Sequence, residues 1–391
     1  MDKRSKVGLD FSYNEDWVAG SYYILNLIMS LNQIPDIKKP FLYIYCSNQS
    51  DIPIIKSINY PYLEINFSRR NYHPADYHKI LNFINQISLH LFKYLIFDNR
   101  PTMKTLDMIL LNPGKKYYFE KIPDKKKLFW IPDFQEHYLK QFFSMQEVKN
   151  RKELQSKLIK RNVRFVFSSE SCQNDFHKIY PNAQNLNYVL NFAVHHPEYD
   201  HIEINQLLHK YRIKEKYFFS PNQFWAHKNH IVTIKAVKLL KDNGTDINVV
   251  FTGKMSDYRS PNYSAELVDY VKRNNLTENI SFLGFIDRAE QLQLMKNAIS
   301  VIQPSLFEGW STVVEDAKSM NQHIILSDIN VHREQTKFNR VFFDANNAEE
   351  LALEMNKIWL NPPRITHHSY SESINRFSNN FLSIVDDFKN N

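Results

Sequence analysis

Short apolar runs alternate with longer amphipathic ones along almost the whole chain, and that grammar limits the fold more than any single motif. In the first half the apolar runs are KVGLDF, PFLYIYC, YLEINF, YLIFD, KLFWIPD, VRFVFSS and LNYVLNF. Between them lie runs such as WVAGSYYILNLIMSL and ADYHKILNFINQISLHLF, whose apolar residues recur at three and four positions. The second half repeats the pattern with KYFFSPN, INVVFTG, NISFLGF, AISVIQPS, HIILSD and RVFF, separated by HIVTIKAVKLLK, YSAELVDYVKR and RAEQLQLMKNA. This predicts an α/β fold, parallel strands covered on both faces by helices. A chain of 391 residues is too long for one simple core. The alternation pauses at FAVHHPEYDHIEIN, 192–205. The expectation is therefore two facing Rossmann-like, doubly wound domains, residues 1–195 and 196–369. A last helix, about 370–391, is expected to pack back on the first domain.

Two cysteines, Cys46 and Cys172, are far apart and in no metal-ligand spacing, which argues against a disulfide framework and fits a cytoplasmic protein. The amino terminus MDKRSKVGLDFSYNEDW has no signal-peptide core, and no apolar run nears the roughly 20 residues of a membrane helix. A net charge of +7 leaves nucleic acid, an anionic membrane face or an anionic small molecule open. The densest basic segment, KNRKELQSKLIKRNVR (149–164), reads first as a solvated helix face and second as an attraction for anionic headgroups. No nucleic-acid-binding pattern accompanies the charge, so nucleic acid is not expected as a partner.

In open α/β sheets ligands bind beyond the carboxyl ends of the strands, so the residues there carry the functional information. PSLFEGWSTVVEDAKS, 304–319, follows the strand SVIQ and runs into a helix with Ser311 or Thr312 as N-cap. Such a helix start favours an anion, typically phosphate. Gly309 admits a ligand or a neighbouring backbone closely. Glu308 is placed to accept hydrogen bonds from sugar hydroxyls. Thr312-x-x-Glu315 is a capping-box spacing, so Glu315 is either a cap or a ligand contact, while Asp316 is not needed for the cap. In YFFSPNQFWAHKNHIVTIKA, 217–236, Lys228 is placed as a point charge for phosphate. His227 and His230 have too few companions to make a strong metal site. Gly20 lies at the first strand-to-helix turn, but Gly-x-Gly-x-x-Gly and a Walker lysine are absent, which disfavours a dinucleotide oxidoreductase and an NTPase. After KLFWI, Asp133, Glu136 and His137 form a possible site in the first domain, although a lone histidine is more often structural.

Together PSLFEGWSTVVEDA, FFSPNQFWAHKNH, VVFTGK, ISFLGFID and IILSDINVHREQ resemble retaining glycosyltransferases of family 4, which have the GT-B fold. WVAGSYYILNLI and WIPDFQEHYLKQFF resemble a bacterial surface-polysaccharide branch of that family. The resemblance implies a metal-independent sugar transfer with no cofactor, from a nucleotide-diphosphate sugar to a glycan or lipid-linked glycan, and the basic charge adds the expectation of a peripheral place at the inner face of the membrane. By resemblance Glu308 faces the donor sugar, Asp316 (or Glu315, one residue early) holds the ribose, and Lys228 and Gly20 lie by the diphosphate. Gly253, Phe285 and Ile286 lie near the base, and Gly309, Trp310, Ser311 and Thr312 complete the donor site. Three residues depart from the pattern: Gln223 where an arginine is usual, Glu136 at the first-domain histidine (His137 is adjacent), and Asn321 at a glycine. A nucleotide-sugar epimerase of the same fold and a non-catalytic GT-B subunit remain alternatives.

Overall fold

The computed structural model describes residues 4–14, 18–46, 48–67, 105–113 and 122–390, with isolated positions between 83 and 91. Seven strands form one parallel sheet: β1 (Lys6–Phe11), β2 (Phe41–Cys46), β3 (Leu63–Phe67), β4 (Met108–Leu111), β5 (Lys127–Ile131), β6 (Arg164–Phe167) and β7 (Asn187–Val189). Their order is β3-β2-β1-β4-β5-β6-β7. Six more form a second parallel sheet: β8 (Phe218–Pro221), β9 (Val249–Thr252), β10 (Ile280–Phe282), β11 (Ser300–Gln303), β12 (Ile324–Ser327) and β13 (Arg340–Phe343). The order there is β10-β9-β8-β11-β12-β13. Both sheets reverse direction beside their first strand, at β1/β4 and at β8/β11, which is where a doubly wound sheet opens a crevice.

The run YLIFD, 94–98, and most of ADYHKILNFINQISLHLF lie outside the described residues. The short run MILL, not picked out in the sequence, is β4, the partner of β1 at the first switch point. Its entry is fixed by Asp107, whose carboxylate accepts the Lys6 N–H at 2.8 Å.

Helix Val18–Asn32 covers the first sheet, and the final helix Ser371–Asn390 packs beside it. Phe377, Phe381, Ile384 and Val385 enter the same core as Val7, Leu9, Leu27 and Ile28. The chain thus leaves the second domain and finishes on the first. With only seven glycines, the chain puts asparagine at many left-handed positions: Asn59, Asn162, Asn229, Asn275, Asn321 and Asn339 all have positive φ. Asparagine is the non-glycine residue that tolerates this region best. Asn321, at φ 56°, therefore meets the backbone demand that a glycine would. Its side chain adds bonds glycine lacks: Oδ1 accepts the His368 N–H at 2.7 Å and Nδ2 donates to the His368 carbonyl at 3.1 Å. Asn339 grips Thr366 in the same way, at 2.8 Å in both directions. These two side chains hold the segment that carries the chain back.

Candidate active site

A cleft of about 430 Å³ lies at the second switch point, with the first domain as its opposite wall. The loops after β8 and β11 form its floor, and buried amides stitch them together. Asn222 Nδ2 donates to Gln303 Oε1 at 2.7 Å, and Gln303 Nε2 donates to Ser305 Oγ, Glu308 Oε1 and Ser311 Oγ at 3.1, 2.8 and 3.1 Å. Asn229 Nδ2 donates to the carbonyls of Pro304 and Ala345 at 3.1 and 2.7 Å. These bonds hold the single 3-10 turn Ala226–Lys228 against the loop carrying Glu308. As a result Lys228 Nζ sits 2.6 Å from Glu308 Oε1, both side chains lining the cleft and both largely buried. Burial pushes the Glu308 carboxyl up, but the Lys228 ammonium outweighs it and holds the group below the usual carboxylate range.

The helix Thr312–Ser319 begins at this cleft, with Ser311 as its N-cap: Ser311 Oγ accepts the Val314 N–H at 3.4 Å. The capping box that the spacing of Thr312 and Glu315 allowed does not form. Gln335 Oε1 accepts the Ser311 N–H at 3.1 Å, in the place a box glutamate takes. Glu315 is turned away from the cleft, accepting from Lys318 Nζ at 2.7 Å, Gln335 Nε2 at 3.0 Å and Tyr370 Oη at 2.6 Å. Asp316 lines the cleft instead. Its Oδ1 accepts from Arg288 Nη2 at 2.6 Å and meets His196 Nε2 at 2.9 Å. Burial raises the Asp316 carboxyl, and Arg288 and His196 together bring it below its usual value.

Two glycines are required by close backbone approach. A Cβ on Gly253, at φ 139°, would lie 2.1 Å from the Asn222 carbonyl oxygen. A Cβ on Gly309 would lie 2.1 Å from the Pro132 carbonyl oxygen. The neighbour that Gly309 admits is thus the backbone of the other domain. Trp310 extends the same contact, its Nε1 donating to the Phe192 carbonyl at 3.0 Å.

Gln223, Gly253, Phe285, Ile286, Trp310, Ser311 and Thr312 all line the cleft, and the Phe285 side chain is exposed. Gly20 does not; it borders a smaller cavity beside the ends of β1 and β4. In the first domain Asp133 reaches the cleft, whereas Glu136 and His137 are absent from its lining. Glu136 is buried, accepting from Arg151 Nη1 at 3.3 Å and Gln155 Nε2 at 2.9 Å. Gln135 takes its place in the lining. His230 is stacked on Phe224 in the core with ring centroids 4.4 Å apart, so His227 and His230 are not a shared ligand pair. Among the described residues no three His, Cys, Asp or Glu side chains group around a possible metal position.

The sequence reading missed Gln303, Arg288 and His196. Gln303 carried a signal, being a polar residue at the end of a buried strand beside the switch point. Arg288 opens a helix after ISFLGFID, and His196 lies in the pause between domains. Nothing local ties either of these to Asp316.

Residues 205–377 match the family model described as Glycosyl transferases group 1. The whole chain superposes on a glycosyltransferase from Rickettsia africae with a TM-score of 0.62 at 14% identity, covering 98% of this chain and 94% of that one. The chain has the GT-B fold. This GT-B chain also superposes on HepE from Anabaena, solved in complex with UDP, with a TM-score of 0.59 at 13% identity and coverage of 99% and 97%. In sequence it is 29% identical over 121 residues to the O-antigen chain mannosyltransferase RfbU of Salmonella typhimurium. That alignment takes in 31% of this chain and spans 32% of the relative's length.

Proposed function

We propose that this GT-B chain transfers a sugar from a nucleotide-diphosphate donor to a glycan or lipid-linked glycan, with retention of configuration, without a metal, in surface-polysaccharide synthesis. The observation that carries the reading is the Lys228–Glu308 pair, 2.6 Å apart at the switch point and roofed by the other domain. Lys228 supplies positive charge where a diphosphate departs, and a preorganised charge of this kind is usually the largest catalytic contribution. When donor binds, its phosphate oxygens replace Glu308 as partner of the ammonium, and Glu308 is left to accept from sugar hydroxyls. Gly309 to Val313 line the cleft, and Thr312 and Val313, at the start of the following helix, add their backbone N–H groups to the same charge. Asp316 is assigned to the ribose and the exposed Phe285, with Ile286, to the base. Arg288 compensates for Gln223: it brings a second cation into the cleft, on a different loop from the usual arginine. The leaving phosphate takes the acceptor proton on the same face, so no protein nucleophile is invoked.

The similarity to an O-antigen mannosyltransferase supports a polysaccharide acceptor, and the solved complex of HepE supports UDP as the first nucleotide to try. Lysines 140, 149, 152, 157 and 160 border one exposed groove along helix Met145–Lys160, which supports contact with an anionic membrane. None of the described helices is long and apolar enough to cross one. The test is transfer from a panel of nucleotide-sugars by Lys228→Ala and Glu308→Gln proteins that keep the wild-type melting temperature. Undiminished transfer by both would sink the assignment. Donor consumed without an acceptor or free nucleotide would point to an epimerase instead.

A further inference from the structure

A second cavity of about 410 Å³ shares Pro132, Asp133, Gln135 and Trp225 with the candidate cleft, so the two spaces have a common wall. Its other walls are Asn14, Asn112 and Pro113 beyond β1 and β4, the inner face of helix Met145–Lys160, with Arg151 and Gln155, and the tip of the loop after β9, with Tyr258 and Arg259. Arg259 thus reaches across from the second domain. Aromatic rings hold its guanidinium, whose central carbon lies 4.2 Å from the Phe143 centroid, 5.5 Å from Trp225 and 5.1 Å from Tyr258. Its hydrogen-bond partners are neutral: Nη1 donates to Gln135 Oε1 at 3.3 Å and Nε to Tyr258 Oη at 2.9 Å. Among the described residues it has no carboxylate within ion-pair distance, whereas Lys228 and Arg288 in the candidate cleft each have one. Arg151 pairs with Glu136, which Gln155 also satisfies at 2.9 Å. The cavity therefore has two arginines against one lining acid, Asp133, whose carboxyl burial pushes up, away from the charged state.

We infer that this cavity is an acceptor subsite for an anionic oxygen group, a phosphate or a carboxylate carried by the acceptor, received by Arg259 and Arg151. Arginine suits either group, since its planar fork matches both. The inference rests on the transfer reading for the word acceptor, but anion binding is measurable without turnover. Cross-domain placement has a consequence: the charge is complete only when the domains are together, so an anionic acceptor would favour the closed protein.

The experiment is a calorimetric titration of the full chain with geranyl diphosphate, methyl glucuronide and neutral methyl glucoside. One or both anions should bind, and the neutral glycoside at least about tenfold more weakly. Preference between the anions identifies phosphate or carboxylate as the source. Arg259→Gln should weaken the preferred anion about tenfold and Arg151→Gln about threefold, with Arg259→Lys between wild type and Arg259→Gln. UDP affinity should stay unchanged in all three. Equal binding of the three probes would overturn the subsite. So would an affinity that falls in Lys228→Ala but not in Arg259→Gln, which would put the anion in the first cleft. Glu147→Ala removes the partner of the loop's 3.4 Å bond from Tyr258 while keeping Arg259 and both of its side-chain hydrogen bonds. A loss there equal to that of Arg259→Gln would assign the effect to loop docking and overturn the charge assignment. Anion binding that behaves as expected in a protein lacking any transfer would refute the transfer reading alone.

Discussion

On the second-domain wall of the cleft two buried acids each have a cation, Glu308 with Lys228 and Asp316 with Arg288, and the four side chains come from three strand-to-helix connections of one sheet. The first-domain wall offers Asp133, Gln135 and Trp130 and no such pair. The difference follows from the local chain. Beyond β8 and β11 the loops are laced by Asn222, Asn229 and Gln303, which fix charged side chains at hydrogen-bonding distance. Beyond β5 the chain turns at once into the short helix Gln135–Tyr138, and its acid Glu136 is drawn inward to Arg151. One wall is thus organised to hold a highly charged group, and the other to approach it. That contrast makes the second-domain pair the most sensitive point in the molecule. Lys228→Ala and Glu308→Gln should each lower turnover on the order of 100- to 1,000-fold, the range seen when one preorganised charge or hydrogen bond is removed. Equal losses from Asp133→Asn would erase the distinction between the walls.

The next break is at the seam. Gly309→Ala places a methyl carbon on the Pro132 carbonyl oxygen, a clash that only separation of the walls relieves. Turnover should fall roughly 10- to 100-fold, because small displacements of a catalytic group cost that much. Nucleotide affinity should change little, since its proposed contacts lie on one domain. Small-angle scattering should show a larger radius of gyration than wild type. An unchanged radius with lost nucleotide binding would mean that Gly309 serves the ligand and not the seam.

These two walls also differed in how readable they were. Glu308 and Lys228 stand just beyond strands that the apolar runs SVIQ and KYFFSPN announced, so position along the chain was enough to single them out, whereas Asp316 was preferred to Glu315 only by the family resemblance. The alternation likewise implied both sheets. What escaped depends on contacts distant in sequence. Gly309 signalled close approach, but Pro132 as its neighbour is 177 residues away. Glu315 fitted a capping box by spacing, and only Gln335 and Tyr370, brought in by the fold, turn it elsewhere. β4 escaped for a different reason: four residues between Asp107 and Asn112 are too short to distinguish from a helix fragment.

A third contrast is between the domains as wholes. The second domain buries His227, His230, His323 and His332, each held below its usual value by burial, to about 3 for His230 and about 4 for His323 and His332. Each is neutral when folded and gains a proton on unfolding. Their contribution is therefore intact above the unfolded value near 6.5 and falls as pH drops toward 4. At pH 5 each of those with a folded value near 4 should lower stability by roughly 2 kcal/mol. The carboxylates of Glu308 and Asp316, depressed by their cations, act in a separate window and lose their contribution below about pH 4. Hydrogen exchange at pH 7 and pH 5 should show the second domain losing protection first. Uniform loss across both sheets would contradict this.

The smallest expected effect separates two adjacent acids. Asp316→Asn should weaken nucleotide binding by about tenfold, near 1.4 kcal/mol, by removing a charged acceptor from the cleft. Glu315→Gln should leave that affinity alone, because among the described residues its carboxylate bonds Lys318, Gln335 and Tyr370, away from the cleft. It should instead lower the melting temperature, since a buried side-chain acceptor that loses charge and geometry costs about 1–3 kcal/mol. Tyr370 links Glu315 to the segment returning to the first domain, its hydroxyl also accepting the Val194 N–H at 3.0 Å. Tyr370→Phe should therefore reproduce the stability loss of Glu315→Gln without touching nucleotide affinity. The double variant should show less than the sum of the two losses, as expected for residues sharing one hydrogen bond. If Glu315→Gln weakened nucleotide and Asp316→Asn did not, the ribose assignment would move back by one residue and the second-domain wall would need redrawing.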